Sequence, residues 1–342
     1  MRLRSLSFLG IFCFGLTSVA EGTFTYGPMS TPLTGPRLEI WAVRPPHPVN
    51  WTSPKTLLKS TLKNALEFDP APNGHLMVHL VGNKENEYGV KEILTGMSRA
   101  HKMQTVETSI FKGLGLSAMT YDFEGQFDAA LKDRKEIAKE QRKRRVAMVV
   151  LPLSSAQADR LMKIVSLWIK HGSYRHYGGS KNVSAGEGAG CADFALYLLS
   201  VALDGKIDAE TWSKWSDRVY LPYALIRTNP EGKILSHKVS LHQVKKWGTE
   251  WAENENNGEL FETADPEKFF NWVLSHSDGS QTLQITPSVS AEHPPLFSNP
   301  FYESTFDEAL YPIEDDGTIQ SVWNRINAAE SPVEPAKDRE GT

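Results

Sequence analysis

Short apolar runs, separated by longer segments with an apolar period of 3.6 residues, predict a mixed α+β fold. The predicted strands are 38–43, 75–81, 88–95, 146–151, 218–227 and 234–241. The predicted helices begin near residue 54 and cover 129–145, 154–172 and 265–275. The segment 82–86 is polar and joins two of the strands, which predicts a β-hairpin from 75 to 95.

One predicted helix differs from the others. Residues 192–203 are apolar on almost every side, a pattern that indicates a central, buried helix. Gly205 follows as its C-terminal signal, and Cys191 falls in its first turn. We therefore expect an antiparallel sheet packed on a buried helix that starts with the cysteine, followed by a C-terminal extension.

The first 20 residues have the pattern of a secretory signal peptide. Arg2 and Arg4 precede an apolar segment at 5–16, and 18–20 fits a small-residue cleavage site. The apolar segment is shorter than the ~20 residues that span a bilayer. A secreted or periplasmic protein without a transmembrane span after cleavage is predicted.

Composition and sequence pattern divide the whole chain into five predicted parts. The predicted parts are a signal peptide at 1–20, an extended lead-in at 21–36, a catalytic domain at 37–228, a C-terminal extension at 229–326 and a disordered tail at 327–342.

Composition and charge restrict the class of protein. The 342 residues are 40% hydrophobic and 23% charged, which is typical of a globular protein. The formal net charge of −4 at pH 7 argues against nucleic acid as a partner. The chain has two cysteines, and Cys13 lies inside the signal segment. Cys191 would thus be the single thiol of a mature protein in an oxidising compartment, where a free thiol needs either a packing or a catalytic reason.

The surroundings of Cys191 favour the catalytic reason. A helix N-terminus presents unpaired N–H groups and a partial positive charge, which lower the pKa of a thiol and can hold an oxyanion. The preceding segment 186–190 contains three glycines, so a substrate could approach the backbone closely. Cys191 is the predicted nucleophile.

A cysteine nucleophile needs a histidine base, and His75 opens the first strand of the hairpin. A turn at 83–84 would place Glu92 opposite His75, where its carboxylate could orient the imidazole. A turn two residues longer would shift the partner toward Leu94 or Thr95. The predicted catalytic residues are Cys191, His75 and Glu92, with Thr95 as the alternative third residue.

The order of these residues resembles the circularly permuted papain-like cysteine hydrolases, a superfamily that includes NlpC-type peptidases and lecithin-retinol acyltransferase. The matching stretches are Gly74-His75, 90–93, 151–161, Tyr174, Tyr177 and 190–194. Relatives often carry asparagine directly before the cysteine, where this chain has Gly190. The resemblance implies amide or ester cleavage, with a cell-envelope peptide, peptidoglycan or lipid-linked material as substrate, and an acyltransferase as a related alternative.

Other assignments compete with this one. His79 could replace His75, and an unpermuted order would make His237 or His242 the base. A catalytically inactive binding module would use the tryptophan-rich segment around Trp212 and Trp215 as a contact surface.

The ten histidines include three near pairs, but no His-Glu-x-x-His or paired-cysteine spacing. We therefore predict no metal and no cofactor.

Overall fold

The structure is a computed structural model. It describes residues 19–21, 24–28, 34–66, 73–101, 113–179, 181–205, 207–226, 238–277, 281–287 and 316–327. Residues 1–18 of the predicted signal peptide and the predicted tail from 328 lie outside the described residues. The cleavage site predicted after Ala20 falls within the first strand.

The fold is α+β, as the hydrophobic pattern predicts. The strands are β1 (Val19–Glu21), β2 (Phe24–Pro28), β3 (Arg37–Val43), β4 (His75–Val81), β5 (Glu92–Arg99), β6 (Phe123–Phe127), β7 (Val146–Pro152), β8 (His176–Tyr177), β9 (Ser216–Pro222), β10 (Gly258–Ala264) and β11 (Thr282–Pro287). The α-helices are α1 (Pro54–Leu66), α2 (Ala130–Gln141), α3 (Ser155–Lys170), α4 (Cys191–Ala202), α5 (Ala209–Trp215), α6 (Leu241–Trp247), α7 (Pro266–His276) and α8 (Asp316–Asn327).

The main sheet has the strand order β1-β2-β11-β7-β3-β4-β5-β6-β8 in the described part of the chain. Its neighbouring strands are antiparallel, except for the parallel pair β11 and β7. A smaller sheet pairs β9 with β10. Within the lead-in predicted at 21–36, residues 24–28 are extended and form the strand β2, which pairs with β11.

Helices cover both faces of the sheet because alternate strand residues point to opposite sides. Leu76 of β4 belongs to the main core together with Phe194 of α4, whose side chain is fully buried. Met77, the next residue, packs with Ile137 of α2 in a smaller core. The sheet therefore separates α4 on one face from α2 on the other.

The helix that starts at Cys191 is buried almost all round, as its composition predicts. The 12-residue helix α4 lies against β4 and β5. No helix in the described residues combines the length and the apolar character needed to cross a bilayer.

The hairpin has a different register from the predicted one. Val81 pairs with Glu92 and Met77 pairs with Gly96. The connection is longer than a two-residue turn because Asn86 caps a local turn, accepting hydrogen bonds from the N–H groups of Tyr88 and Val90 at 3.0 Å each. The predicted position of Glu92 opposite His75 is therefore wrong.

Two further expectations are corrected. The strand predicted at 234–241 is not continuous: 234–237 lie outside the described residues, and Ser240 caps α6 by accepting a hydrogen bond from the Gln243 N–H. The tryptophans proposed as a contact surface are buried, Trp212 with 6% and Trp215 with 1% of its surface exposed. They pack in the main core and cannot present a binding surface.

Candidate active site

Cys191 begins α4 at the wall of a cleft. Gly190 is the N-cap residue with an extended backbone (φ −73°, ψ 167°), so helical geometry starts at the cysteine itself. The thiol is buried but lines the cleft, with 8% of the residue exposed. N–H groups of the first helical turn have no partner within the helix, so they and the helix dipole favour negative charge at this point.

Asp193 fixes the start of α4 against the small sheet. Its carboxylate accepts hydrogen bonds from the Ala264 N–H (2.9 Å), from the Thr263 hydroxyl (3.2 Å) and from the Gly190 N–H. Burial raises the pKa of Asp193 to about 6, although these donors oppose the shift. The turn that carries Cys191 is thus held by both the helix and β10.

His75 and Cys191 are hydrogen-bonded to each other. Burial lowers the pKa of His75, but the negative charges of the Cys191 thiolate and Asp128 outweigh it, and the pKa lies well above its ordinary value. Burial raises the pKa of the Cys191 thiol, but the His75 imidazolium reverses this and leaves the pKa below its ordinary value. The pair therefore favours thiolate and imidazolium, the reactive state of a cysteine nucleophile.

The carboxylate beside His75 belongs to Asp128, which follows β6. The His75 Nε2 lies 3.5 Å from Asp128 Oδ2, and Asp128 is 1% exposed. Burial raises the pKa of Asp128, but its contacts with His75 and Lys132 lower it to about 2. Asp128 is therefore ionised and can stabilise an imidazolium. With Nε2 facing this carboxylate, Nδ1 is the ring nitrogen left for the thiol.

Neighbouring side chains hold Asp128 in place. Its Oδ1 accepts a hydrogen bond from the Ser98 hydroxyl (2.7 Å) and another from the Lys132 ammonium. Its main-chain carbonyl accepts a hydrogen bond from the Thr95 hydroxyl at 2.9 Å. Thr95, the alternative third residue, therefore positions the segment that carries Asp128 and does not itself contact the imidazole.

A glycine in β5 makes room for the imidazole. A Cβ atom at Gly96 would lie 2.6 Å from His75 Nε2, closer than any real contact. The ring therefore leans across β5 only because this position lacks a side chain.

Glu92 has a different partner. Its carboxylate lies 2.8 Å from His79 Nε2, while Glu39 lies 2.8 Å from the other ring nitrogen of His79. Both nitrogens of His79 are thus occupied by carboxylates on the α2 side of the sheet. Neither Glu92 nor His79 belongs to the group around Cys191.

Of the two histidines that an unpermuted order would use, His242 does not enter the site. His242 lies on the exposed side of α6. His237 lies outside the described residues.

A second carboxyl group lies behind Asp128. Asp133 is completely buried, and both of its oxygens lack a hydrogen-bond partner. The pKa of Asp133 is raised to about 8, mainly by burial and secondly by the negative charge of Asp128. The group is therefore mostly protonated at neutral pH. Ligand atoms of His75, Asp128 and Asp133 lie within 4.8 Å of one another, a separation that a metal ion could bridge, although Lys132 already supplies a positive charge to Asp128.

Two further donors reach the sulfur. The Leu76 N–H donates a hydrogen bond to it, and the Tyr177 hydroxyl lies at 4.0 Å as a second donor. Burial and the Cys191 thiolate raise the pKa of Tyr177, so its hydroxyl keeps its proton. Both groups stabilise negative charge at the sulfur.

The cleft at Cys191 has a volume of about 200 Å³, and four aromatic side chains are part of its lining. Trp51 and Phe261 stack on one side with ring centroids 6.3 Å apart. On the other side the Arg99 guanidinium lies over the rings of Phe123 (4.6 Å) and Tyr177 (5.2 Å). The opening beside the sulfur can hold an apolar group next to a positive charge.

The sequence carries local signals at Asp128 and Gly96, but neither signal identifies the residue that it contacts. Asp128 directly follows a short strand with alternating buried positions, and it precedes a helix. Gly96 directly follows the strand predicted at 88–95, and a glycine in a strand allows close approach by another group.

Comparison of the chain with protein-family models, with curated proteins and with solved structures gives no match.

Proposed function

We propose that this protein is a cysteine hydrolase that cleaves an amide or ester bond, with Cys191 as nucleophile, His75 as general acid and base, and Asp128 as the residue that orients His75. The observation that carries the proposal is the hydrogen-bonded thiol and imidazole at a helix start, with an ionised carboxylate behind the ring. Asp128 takes the role that the sequence pattern assigned to Glu92.

In the proposed reaction the Cys191 thiolate attacks the carbonyl carbon and forms a tetrahedral oxyanion. N–H groups of the first turn of α4 and the Tyr177 hydroxyl can donate hydrogen bonds to this oxyanion. The His75 imidazolium gives its proton to the leaving amine or alcohol, and the C–N or C–O bond breaks. Water, deprotonated by His75, then cleaves the thioester and releases the acid and the free thiol.

The resemblance to permuted papain-like hydrolases supports a cell-envelope peptide, peptidoglycan or lipid-linked amide as substrate of an exported enzyme. Water as the acceptor gives hydrolysis, and an alcohol or amine in its place gives acyl transfer. Product analysis with and without an added acceptor distinguishes these two outcomes.

Thiol alkylation tests the proposed site directly. We expect iodoacetamide to modify Cys191 rapidly at pH 6 because the imidazolium keeps the sulfur ionised. In His75→Ala the thiol would return toward an ordinary pKa of ~8.5, where only about 0.3% is ionised at pH 6. The modification rate should then fall by about two orders of magnitude.

The matched control is His242→Ala, which removes an exposed histidine and should leave the rate unchanged. A Cys191 thiol that resists modification in the folded wild-type protein would contradict the proposal and favour a catalytically inactive binding module. Mass spectrometry of the peptide that contains Cys191 measures the rates, because the full sequence has a second cysteine, Cys13.

A further inference from the structure

The helix α1 has one buried face and one exposed face. Its exposed positions recur at the helical period and are Lys55, Lys59, Leu62, Lys63 and Leu66. They form a stripe about 16 Å long, given a rise of 1.5 Å per residue. Three lysines and two leucines therefore share one solvent-facing side of α1.

The helix α6 extends this surface. The Lys55 N–H donates a hydrogen bond to the Gly248 carbonyl at 2.8 Å, which fixes the end of α6 against the start of α1. Lys245, Lys246 and Trp247 are exposed on α6. We call the exposed residues of these two helices the α1–α6 face.

The charge of this face is unbalanced. Neither helix contains an acidic residue, whereas the whole chain has a formal net charge of −4. Within the described residues, none of the five lysines makes an ion pair with a carboxylate. The first acidic residues beyond the helix ends are Glu67, directly after α1, and Glu250, after α6.

Large apolar side chains lie among these lysines. Leu62, Leu66 and Trp247 are 43%, 74% and 53% exposed. Only one other large hydrophobic side chain in the described residues, Leu131, is classed as exposed, at 36%. Exposed apolar groups concentrated on one basic surface indicate an interaction surface.

We propose that the α1–α6 face docks on an anionic lipid surface. Lysines are attracted to acidic headgroups, while leucine and tryptophan side chains enter the boundary between headgroups and acyl chains. An acidic polymer would pair with the lysines but would leave three large apolar side chains in water. Because lysines and large apolar side chains lie on the same face, an anionic lipid surface fits this face better than an acidic polymer does.

Docking would hold the cleft on the far side of α1, about 10 Å from the membrane surface. Leu57 and Thr61 on the other side of α1 line the cleft that contains Cys191. This consequence rests on the proposed function, whereas the docking itself does not. A lipid-linked substrate whose polar part extends at least about 10 Å from the membrane could then reach the cleft while its acyl chain stays in the membrane.

Vesicle sedimentation tests the proposal. We expect the protein to bind vesicles of phosphatidylglycerol and phosphatidylcholine (1:1) and not vesicles of phosphatidylcholine alone. The triple variant Lys55→Glu, Lys59→Glu, Lys63→Glu should bind at least about 100-fold more weakly, since each basic residue contributes about fivefold. Circular dichroism confirms that the variant is folded.

The matched control reverses three exposed cations of α2 and the turn after it: Lys135→Glu, Arg142→Glu and Arg144→Glu. It makes the same change in net charge and should keep most of the binding. Equal losses in both triple variants would show that only net charge matters and would overturn the proposal.

A separate measurement tests whether the apolar side chains of the α1–α6 face enter the membrane. Brominated acyl chains should quench part of the tryptophan emission of the vesicle-bound wild-type protein, and this quenching should disappear in Trp247→Ala. Binding without such quenching, together with equal binding to heparin, would identify an acidic polymer and contradict lipid docking. Iodoacetamide modification of Cys191, measured in parallel, separates failure of docking from failure of the catalytic proposal.

Discussion

Two buried aspartates five residues apart differ in protonation at neutral pH: Asp128 is ionised and Asp133 is mostly protonated. Asp128 has a pKa of about 2 and Asp133 a pKa of about 8. Burial raises both values. Asp128 lies beside His75 and accepts hydrogen bonds from Lys132 and Ser98, which lower its pKa. Both oxygens of Asp133 lack a hydrogen-bond partner, and the charges of His75 and Lys132 do not outweigh its burial. Asp133 meets the negative charge of Asp128 instead. One proton between two nearby carboxyl groups is the expected result, because two ionised carboxylates would repel each other in a buried site.

The role of Asp128 predicts a specific loss of activity. In Asp128→Asn the side chain keeps its shape but no longer stabilises the imidazolium, so the thiolate loses support. We expect the rate of Cys191 alkylation at pH 6 and any kcat/KM to fall by about 10²- to 10⁴-fold.

Glu92→Gln is the matched control for this variant because it neutralises the carboxylate that the sequence pattern favoured. It should leave the alkylation rate within about twofold of wild type. A larger effect from Glu92→Gln than from Asp128→Asn would overturn the assignment of the third residue.

The buried carboxyl of Asp133 predicts a pH-dependent stability. Its folded pKa of about 8 lies above the ordinary 3.8, so the folded state binds the extra proton and stability falls as pH rises from about 4 to 8. Asp133→Asn removes this dependence. We expect the variant to match wild type at pH 4 and to have a larger free energy of unfolding at pH 8, measured by urea denaturation.

The same comparison can contradict this expectation. A wild-type free energy of unfolding that changes between pH 4 and 8 no more than that of Asp133→Asn would show that the carboxyl does not titrate in this range.

At the scale of elements, a histidine connects three neighbouring strands on the α2 side of the sheet. Glu39 of β3, His79 of β4 and Glu92 of β5 form a chain of hydrogen bonds, each 2.8 Å long. Arg37 and Trp41 also donate to Glu39, at 2.6 and 3.1 Å. Burial raises the pKa of Glu39, but His79 and Arg37 outweigh it and lower the pKa to about 2.

This chain of bonds predicts a pH window for stability. Burial lowers the pKa of His79, but Glu39 and Glu92 raise it above its ordinary value of 6.5. The contribution of His79 is complete below pH 6.5 and is lost as pH rises through the raised value, whereas that of Glu39 is lost only as pH falls toward 2. His79→Gln should therefore lower the free energy of unfolding by about 1–2 kcal/mol at pH 5.5.

At pH 9 the cost of His79→Gln should be clearly smaller, because the wild-type imidazole is then less charged. Chemical denaturation of both proteins at pH 5.5 and 9 measures the difference. A cost that stays constant or increases with pH would contradict a charged His79 between the two glutamates.

At the scale of the molecule, the segment after residue 228 completes the sheet and its core. β11 pairs with β7 inside the main sheet, and β10 pairs with β9. Helix α8 places Trp323, which is fully buried, in the same core as α4. The ring of Trp323 stacks on Tyr88 of the hairpin connection at 5.6 Å. The C-terminal residues thus contribute to the same core as the site.

Because the C-terminal helix packs in the main core, a substitution far from Cys191 in sequence should strongly lower the free energy of unfolding. Trp323→Ala should lower the free energy of unfolding by about 3–5 kcal/mol because it leaves a cavity in the main core. Trp247→Ala is the matched control, since that ring is 53% exposed, and should change stability by less than about 0.5 kcal/mol. Similar costs for the two variants in thermal and urea denaturation would contradict the placement of α8 in the core.

The sequence by itself determined the local structure. The apolar period of α3 and α7, the apolar segment of α4 and the strand pattern of β3, β4 and β7 all depend on neighbours in sequence, and the structure confirms them. The position of Cys191 at a helix start follows from the same pattern. Such features can be predicted because they depend on the preferences of consecutive residues.

Only the tertiary structure decided which residues meet. The hairpin pattern is compatible with several registers, and the local turn at Asn86 selects one that gives Glu92 to His79. His75 and Asp128 lie 53 positions apart in the sequence and meet because β6 pairs with β5. The strand periodicity repeats every two residues and contains no information about the partner strand, so the third member of the site could not be read from the pattern alone.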